Sequence, residues 1–101
     1  MRGNDERAEL ALQAGNWQEA ASLGEEAIRL NFHPEDQSEW LPFLEAYAIT
    51  GNAPRVKQTA PKINVEKSLR LQACDMLTNI KAPLTSEVRE LISAQYCRNA
   101  E

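Results

Sequence analysis

Long hydrophobic runs are absent from this chain of 101 residues. The longest, Ala46-Tyr47-Ala48-Ile49, falls far short of the ~20 apolar residues that a membrane-crossing helix needs. Residues 1–15 hold acids and no apolar stretch of the kind a secretory signal carries. Histidine is nearly missing, with His33 alone, and Cys74 and Cys97 are the two cysteines, so a zinc site is not expected. Glycine is scarce, and Gly15 and Gly51 stand singly as helix stops rather than in a phosphate-binding loop. General acid–base catalysis needs a tuned histidine or paired carboxylates in a pocket. His33 sits beside Pro34 with no serine or cysteine partner in sequence, and Glu25-Glu26 and Glu35-Asp36 read as solvating or capping charges. The chain is therefore read as non-enzymatic, with no cofactor and no metal.

What is present points to one folded domain over residues 1–101. The chain is 43% hydrophobic with a net charge of −4, too apolar and too weakly charged for intrinsic disorder. Its charge is uneven: residues 1–53 carry three bases against ten acids, and residues 54–101 carry eight against five. The bases gather in Arg55, Lys57, Lys62, Lys67 and Arg70. No aromatic residue is interleaved with them to stack on bases, so a nucleic-acid partner is not expected.

Apolar residues recur at three- and four-residue steps, the period of a helix, and no segment alternates as a strand does. A short first run, Ala8, Leu10, Ala11, Leu12 and Ala14, stops at Gly15. Asn16 then reads as the cap of a second helix over about 17–31, with Glu19 reaching back to it. Trp17, Ala20, Ala21, Gly24, Ala27, Ile28 and Phe32 form its inward stripe, and its small members let a neighbouring helix come close. A third helix spans about 38–50, buried through Trp40, Phe43, Leu44, Tyr47 and Ala48, with Pro42 near its first turn. Pro54 suits the first position of a fourth helix, which Pro61 shortens or kinks. The fifth, over about 65–81, carries Val65, Leu69, Ala73, Met76, Leu77 and Ile80 on one stripe, and Pro83 breaks it. Thr85 or Ser86 caps a sixth, with Val88, Leu91, Ile92 and Tyr96 facing inward. An antiparallel pair turning at Pro83 would set Cys74 and Cys97 roughly 7–8 Å apart in height at ~1.5 Å per residue, so two unbonded thiols are expected.

Six helices joined by short loops give an all-α domain. Gly15-Asn16 recurs as Gly51-Asn52, 36 residues on, each after a short helix. Trp40, Phe43, Leu44, Tyr47 and Gly51 follow the W-x2-L-G-x2-Y…G pattern in spacing, with Phe43 and Leu44 in place of its leucine and glycine. Gly15, Trp17, Ala20, Ala27 and Pro34 resemble the turn and second helix of the same unit. On these residues, covering about 8–60, the chain resembles the tetratricopeptide repeat proteins. That resemblance implies about three stacked antiparallel hairpins in a right-handed superhelix, the first clipped and the last degenerate. The clipped opening helix reads as that of a fragment or tail of a longer protein.

The resemblance also implies a non-catalytic module that binds a protein or peptide on a concave face lined by the first helix of each pair. The candidate partner-binding residues there are Glu9, Leu41, Glu45 and Ile49, with Asp5 and Gln13 on the same side of the first helix. Their acidity excludes an acidic peptide terminus as ligand. The alternative is an appendage that assembles or oligomerises a larger protein through apolar residues at its open edge, Leu10 and Leu12; the chain itself is expected to be a monomer or weak homodimer.

Overall fold

A computed structural model describes residues 3–98. Among these the chain forms six α-helices: α1 (Gly3–Gln13), α2 (Trp17–Arg29), α3 (Leu41–Ile49), α4 (Ala53–Ile63), α5 (Lys67–Thr78) and α6 (Ser86–Leu91). A 3₁₀ turn, Gln37–Trp40, leads into α3, and a π turn, Ile92–Tyr96, continues α6. No strand occurs among the described residues. The domain is all-α.

The turns after α1 and α3 are built alike. Gly15 and Gly51 both take left-handed backbone, φ 79° and 77°, which suits a residue without Cβ. Asn16 N–H donates to the Ala11 carbonyl and Gly15 N–H to Leu12, and Asn52 and Gly51 repeat this on Tyr47 and Ala48. These are Schellman caps, which satisfy carbonyls orphaned at a helix end. Asn52 then caps α4 by accepting from Arg55 N–H at 3.2 Å. Asn16 makes no such bond at the start of α2, contrary to the expected cap. The two backbones are nearly the same, φ −90°, ψ 68° at Asn16 and φ −86°, ψ 78° at Asn52, so the difference lies in the side chain.

The similarity extends to the core. Every buried residue of the first hairpin has a buried counterpart 36 positions on: Asn4 and Trp40, Ala8 and Leu44, Ala11 and Tyr47, Ala20 and Val56, Leu23 and Thr59, Gly24 and Ala60, Ala27 and Ile63. The second member is usually the larger. The first hairpin packs on one neighbour through α3, whereas α3–α4 also meets α5, α6 and the π turn. Larger side chains fill the space between two neighbours.

Small residues set the spacing of α2 and α3. Ala20 and Ala27 are fully buried, and Gly24 receives the Tyr47 ring. Trp40, 3% exposed, closes the far end against Phe32 and Phe43, with ring centroids 5.3 and 5.8 Å away. Lys62 of α4 lies over the Trp40 ring, 5.0 Å from its centroid. Trp17, by contrast, is 40% exposed, because it opens α2 beyond the reach of this seam. Pro42 and Pro54 lie in the first turns of α3 and α4, where a missing N–H removes nothing. Pro61 remains inside α4 and leaves the Lys57 carbonyl without its usual donor.

The C-terminal third departs from expectation. The stripe of α5 is Leu69, Ala73 and Leu77, while Val65 precedes the helix and is 63% exposed. Helix α5 ends at Thr78 rather than near 81, and the cap of α6 is Thr85, which accepts from Val88 N–H at 3.1 Å. Cys74 and Cys97 form a disulfide with their Cα atoms 5.0 Å apart, which overturns the expectation of two free thiols. The height argument failed because α5 and α6 are not a hairpin turning at Pro83. Residues 79–85 are not helical, α6 packs on α4, and the π turn crosses back onto α5. The Tyr96 hydroxyl, fully buried with its ring, donates to the Val56 carbonyl at 2.6 Å. Asn64 donates to the Gln95 carbonyl at 3.0 Å, so α4 and the π turn are joined at two points.

Candidate functional site

Helices α1, α3 and α5 bring one side each to a groove of about 570 Å³. Asp5 and Glu9, one turn apart on α1, stand on one bank with Leu12 below them. Leu41, Pro42 and Glu45 come from the first turns of α3, and Ser38 and Glu39 from the 3₁₀ turn before it. Gln72, Asp75 and Met76 of α5 form the third wall. The lining thus combines apolar side chains (Leu12, Leu41, Met76) with five carboxylates, and no Lys or Arg is among them.

Electrostatics follow from that crowding. Glu45 is half-buried, and burial together with the Glu9 charge holds its carboxyl above the usual range. Neither Asp5, Glu9 nor Glu45 forms an ion pair among the described residues. Asp75 accepts a hydrogen bond from Asn79 at 3.2 Å. Like charges gathered beside apolar side chains repel one another, and the effect of Glu9 on Glu45 is one instance.

Of the four candidate binding residues, the structure brings Glu9, Leu41 and Glu45 together and separates Ile49 from them. Leu41 is only 7% exposed, so it acts as floor and core more than as a contact. Ile49, one turn beyond Glu45 on the turn side of α3, lines a different cleft with Gly15, Trp17 and Thr50. Gln13 is exposed but does not line the groove. Leu12 is half-buried in the groove rather than exposed at an edge, whereas Leu10 is 65% exposed. The repeat-motif residues Ala20, Ala27, Trp40, Phe43, Leu44 and Tyr47 are all buried, and their roles are in packing.

The wall from α5 was missed in the sequence. In sequence Met76 reads as core, and nothing local to Gln72 or Asp75 marks them. The signal lay in the topology, since α3 packs against both α1 and α5.

The basic stretch is partly occupied by the fold itself. Arg55 grips Glu25 with two nitrogens, each 2.8 Å from a carboxylate oxygen. This pair holds the Glu25 carboxyl below its usual range. Lys62 covers Trp40, and Arg70 donates to the Arg98 carbonyl at 2.6 Å. Lys57 and Lys67 are exposed.

Comparison of the chain with protein-family models, with curated proteins and with solved structures finds no match. Its function is therefore read from its own residues.

Proposed function

We propose that this chain is a tetratricopeptide-like protein-interaction module. Its groove between α1, α3 and α5 takes a partner segment that is apolar and carries Lys or Arg. The observation that carries this reading is the convergence of Asp5, Glu9 and Glu45 with Leu12, Leu41 and Met76 in one groove. The recurrence of Schellman turns and of burial at 36 residues supports a stack of similar hairpins, and such stacks use the face lined by their first helices. Apolar contact would supply most of the affinity. Exposed charges are screened over ~8 Å at physiological salt, and each pair contributes at most ~1 kcal/mol.

The test is a calorimetric titration with an amphipathic peptide bearing Lys on one face, and with its Glu counterpart. Binding of the first and not the second is expected, with Glu45→Lys weakening it roughly tenfold or less at unchanged helicity. Leu41→Asp does not serve here, because burial of that position makes it a folding variant. Met76→Asp tests the floor instead. A second reading, assembly with further copies, draws on the exposed Leu10, Val65 and Leu71. Sedimentation that depends on concentration without any partner favours that reading over the first.

A further inference from the structure

The third helix pair differs from the first two at its turn. Residues 14–16 and 50–52 suffice to join the earlier pairs, while residues 79–85 separate α5 from α6. The longer connection, with the π turn opposite it, leaves a cavity of about 350 Å³. Leu77, Ile80 and Ile92 line its depth, and Pro83 and Leu84 wall it. Its volume falls within the ~300–1,000 Å³ of small-molecule sites. π turns are rare and concentrate at functional sites.

The polar side chains that line it are Arg89, Ser93 and Thr78, whose hydroxyl is spent on the Cys74 carbonyl at 2.9 Å. Arg89 is exposed there, with Nη1 donating to the Leu84 carbonyl at 3.3 Å, one of the five N–H donors a guanidinium carries. It pairs with no carboxylate among the described residues, and no carboxylate lines the cavity. Ser93, four positions on, brings a hydroxyl to the same cavity. An apolar depth with a guanidinium and a hydroxyl at its mouth has the polarity of an amphiphilic anion, reversed.

We propose that this cavity binds a medium-chain carboxylate. Its alkyl chain lies on Leu77, Ile80 and Ile92, and its carboxylate accepts hydrogen bonds from Arg89 and Ser93. The planar guanidinium fork matches a carboxylate, and such charge-assisted bonds are stronger than neutral ones. The site is independent of the acidic groove, whose charge is opposite.

The experiment is a titration of the full, disulfide-bonded chain with octanoate below its micelle concentration, followed by backbone amide shifts. Saturable shifts centred on Leu84 and Ile92 are expected, with octanol and octylamine bound at least about tenfold more weakly. Arg89→Gln, a surface change outside the core, should weaken octanoate by about tenfold at an unchanged melting temperature. Arg89→Lys should keep part of the affinity, which separates the charge from the fork. Equal binding of octylamine, unchanged binding to Arg89→Gln, or no shifts at the cavity would each overturn the proposal. Tighter binding of a peptide ending in leucine than of octanoate would overturn the ligand class.

Discussion

A Cβ added at Gly24 would lie 2.5 Å from the Tyr47 hydroxyl oxygen and 2.9 Å from its Cζ, with Phe43 Cβ at 3.2 Å. The ring is fully buried and has nowhere to retreat. Gly24→Ala should therefore destabilise the fold by about 1–3 kcal/mol, the usual range for overpacking, although alanine is the better helix former. A denaturant midpoint at or above the parent's would show that α2 and α3 have room to separate. Trp40→Ala removes an aromatic side chain enclosed by Phe32, Phe43 and Lys62, and a loss of about 3–5 kcal/mol is expected from the same measurement. Glu45 gives a pH signature. Its carboxyl binds a proton more tightly in the folded chain than in the unfolded one. Stability is then highest below the unfolded pKa and falls as pH rises through the folded one. Glu45→Gln should raise the melting temperature at about pH 7 and change it little at about pH 3, where both states are protonated. Other carboxylates line the same groove, so the comparison is between parent and variant at each pH.

The C-terminal elements are held by few, identifiable bonds. Tyr96 joins the π turn to α4, and the disulfide joins its end to α5 across 23 residues. Closing a loop of that length stabilises a fold by about 3 kcal/mol in the chain-entropy picture. Reduction should lower the melting temperature accordingly, and calorimetry with and without a dithiol measures it. A midpoint indifferent to reductant would place that stability elsewhere. The helices themselves were legible in the sequence for physical reasons. Prolines at 42 and 54 and glycines at 15 and 51 punctuate the chain, and apolar residues keep a helical period between them. The groove was half legible: Asp5, Glu9 and Glu45 share faces fixed by that period. Its α5 wall, the π turn and the crossing of α6 over α4 were not, because each depends on how elements dock rather than on any local run. The disulfide was lost with them, since counting rise per residue assumes a hairpin that residues 79–85 do not make. Trp17 was misplaced for a related reason. Periodicity gives the side of a helix a residue lies on, not where its neighbour ends.

Over the whole molecule, hydrophobic packing is shared between two similar hairpins and a third pair of different design. The disulfide gives that third pair a covalent topology that the others lack. Residues 74–97 form a closed ring, and the non-helical connection lies inside it, with Lys81 exposed. Trypsin is expected to cut first after Lys81, because exposed loops outside helices are the usual sites of nicking. The cut chain would keep both halves attached. It should run as one species on a non-reducing gel and separate into two only when a reductant is added, with the larger fragment carrying α1 to α5. Such nicked protein should also keep most of its helical signal until reduction, because the π turn stays tethered beside its partners. A covalent ring thus makes a broken backbone and an unfolded domain two separate events in the life of this protein.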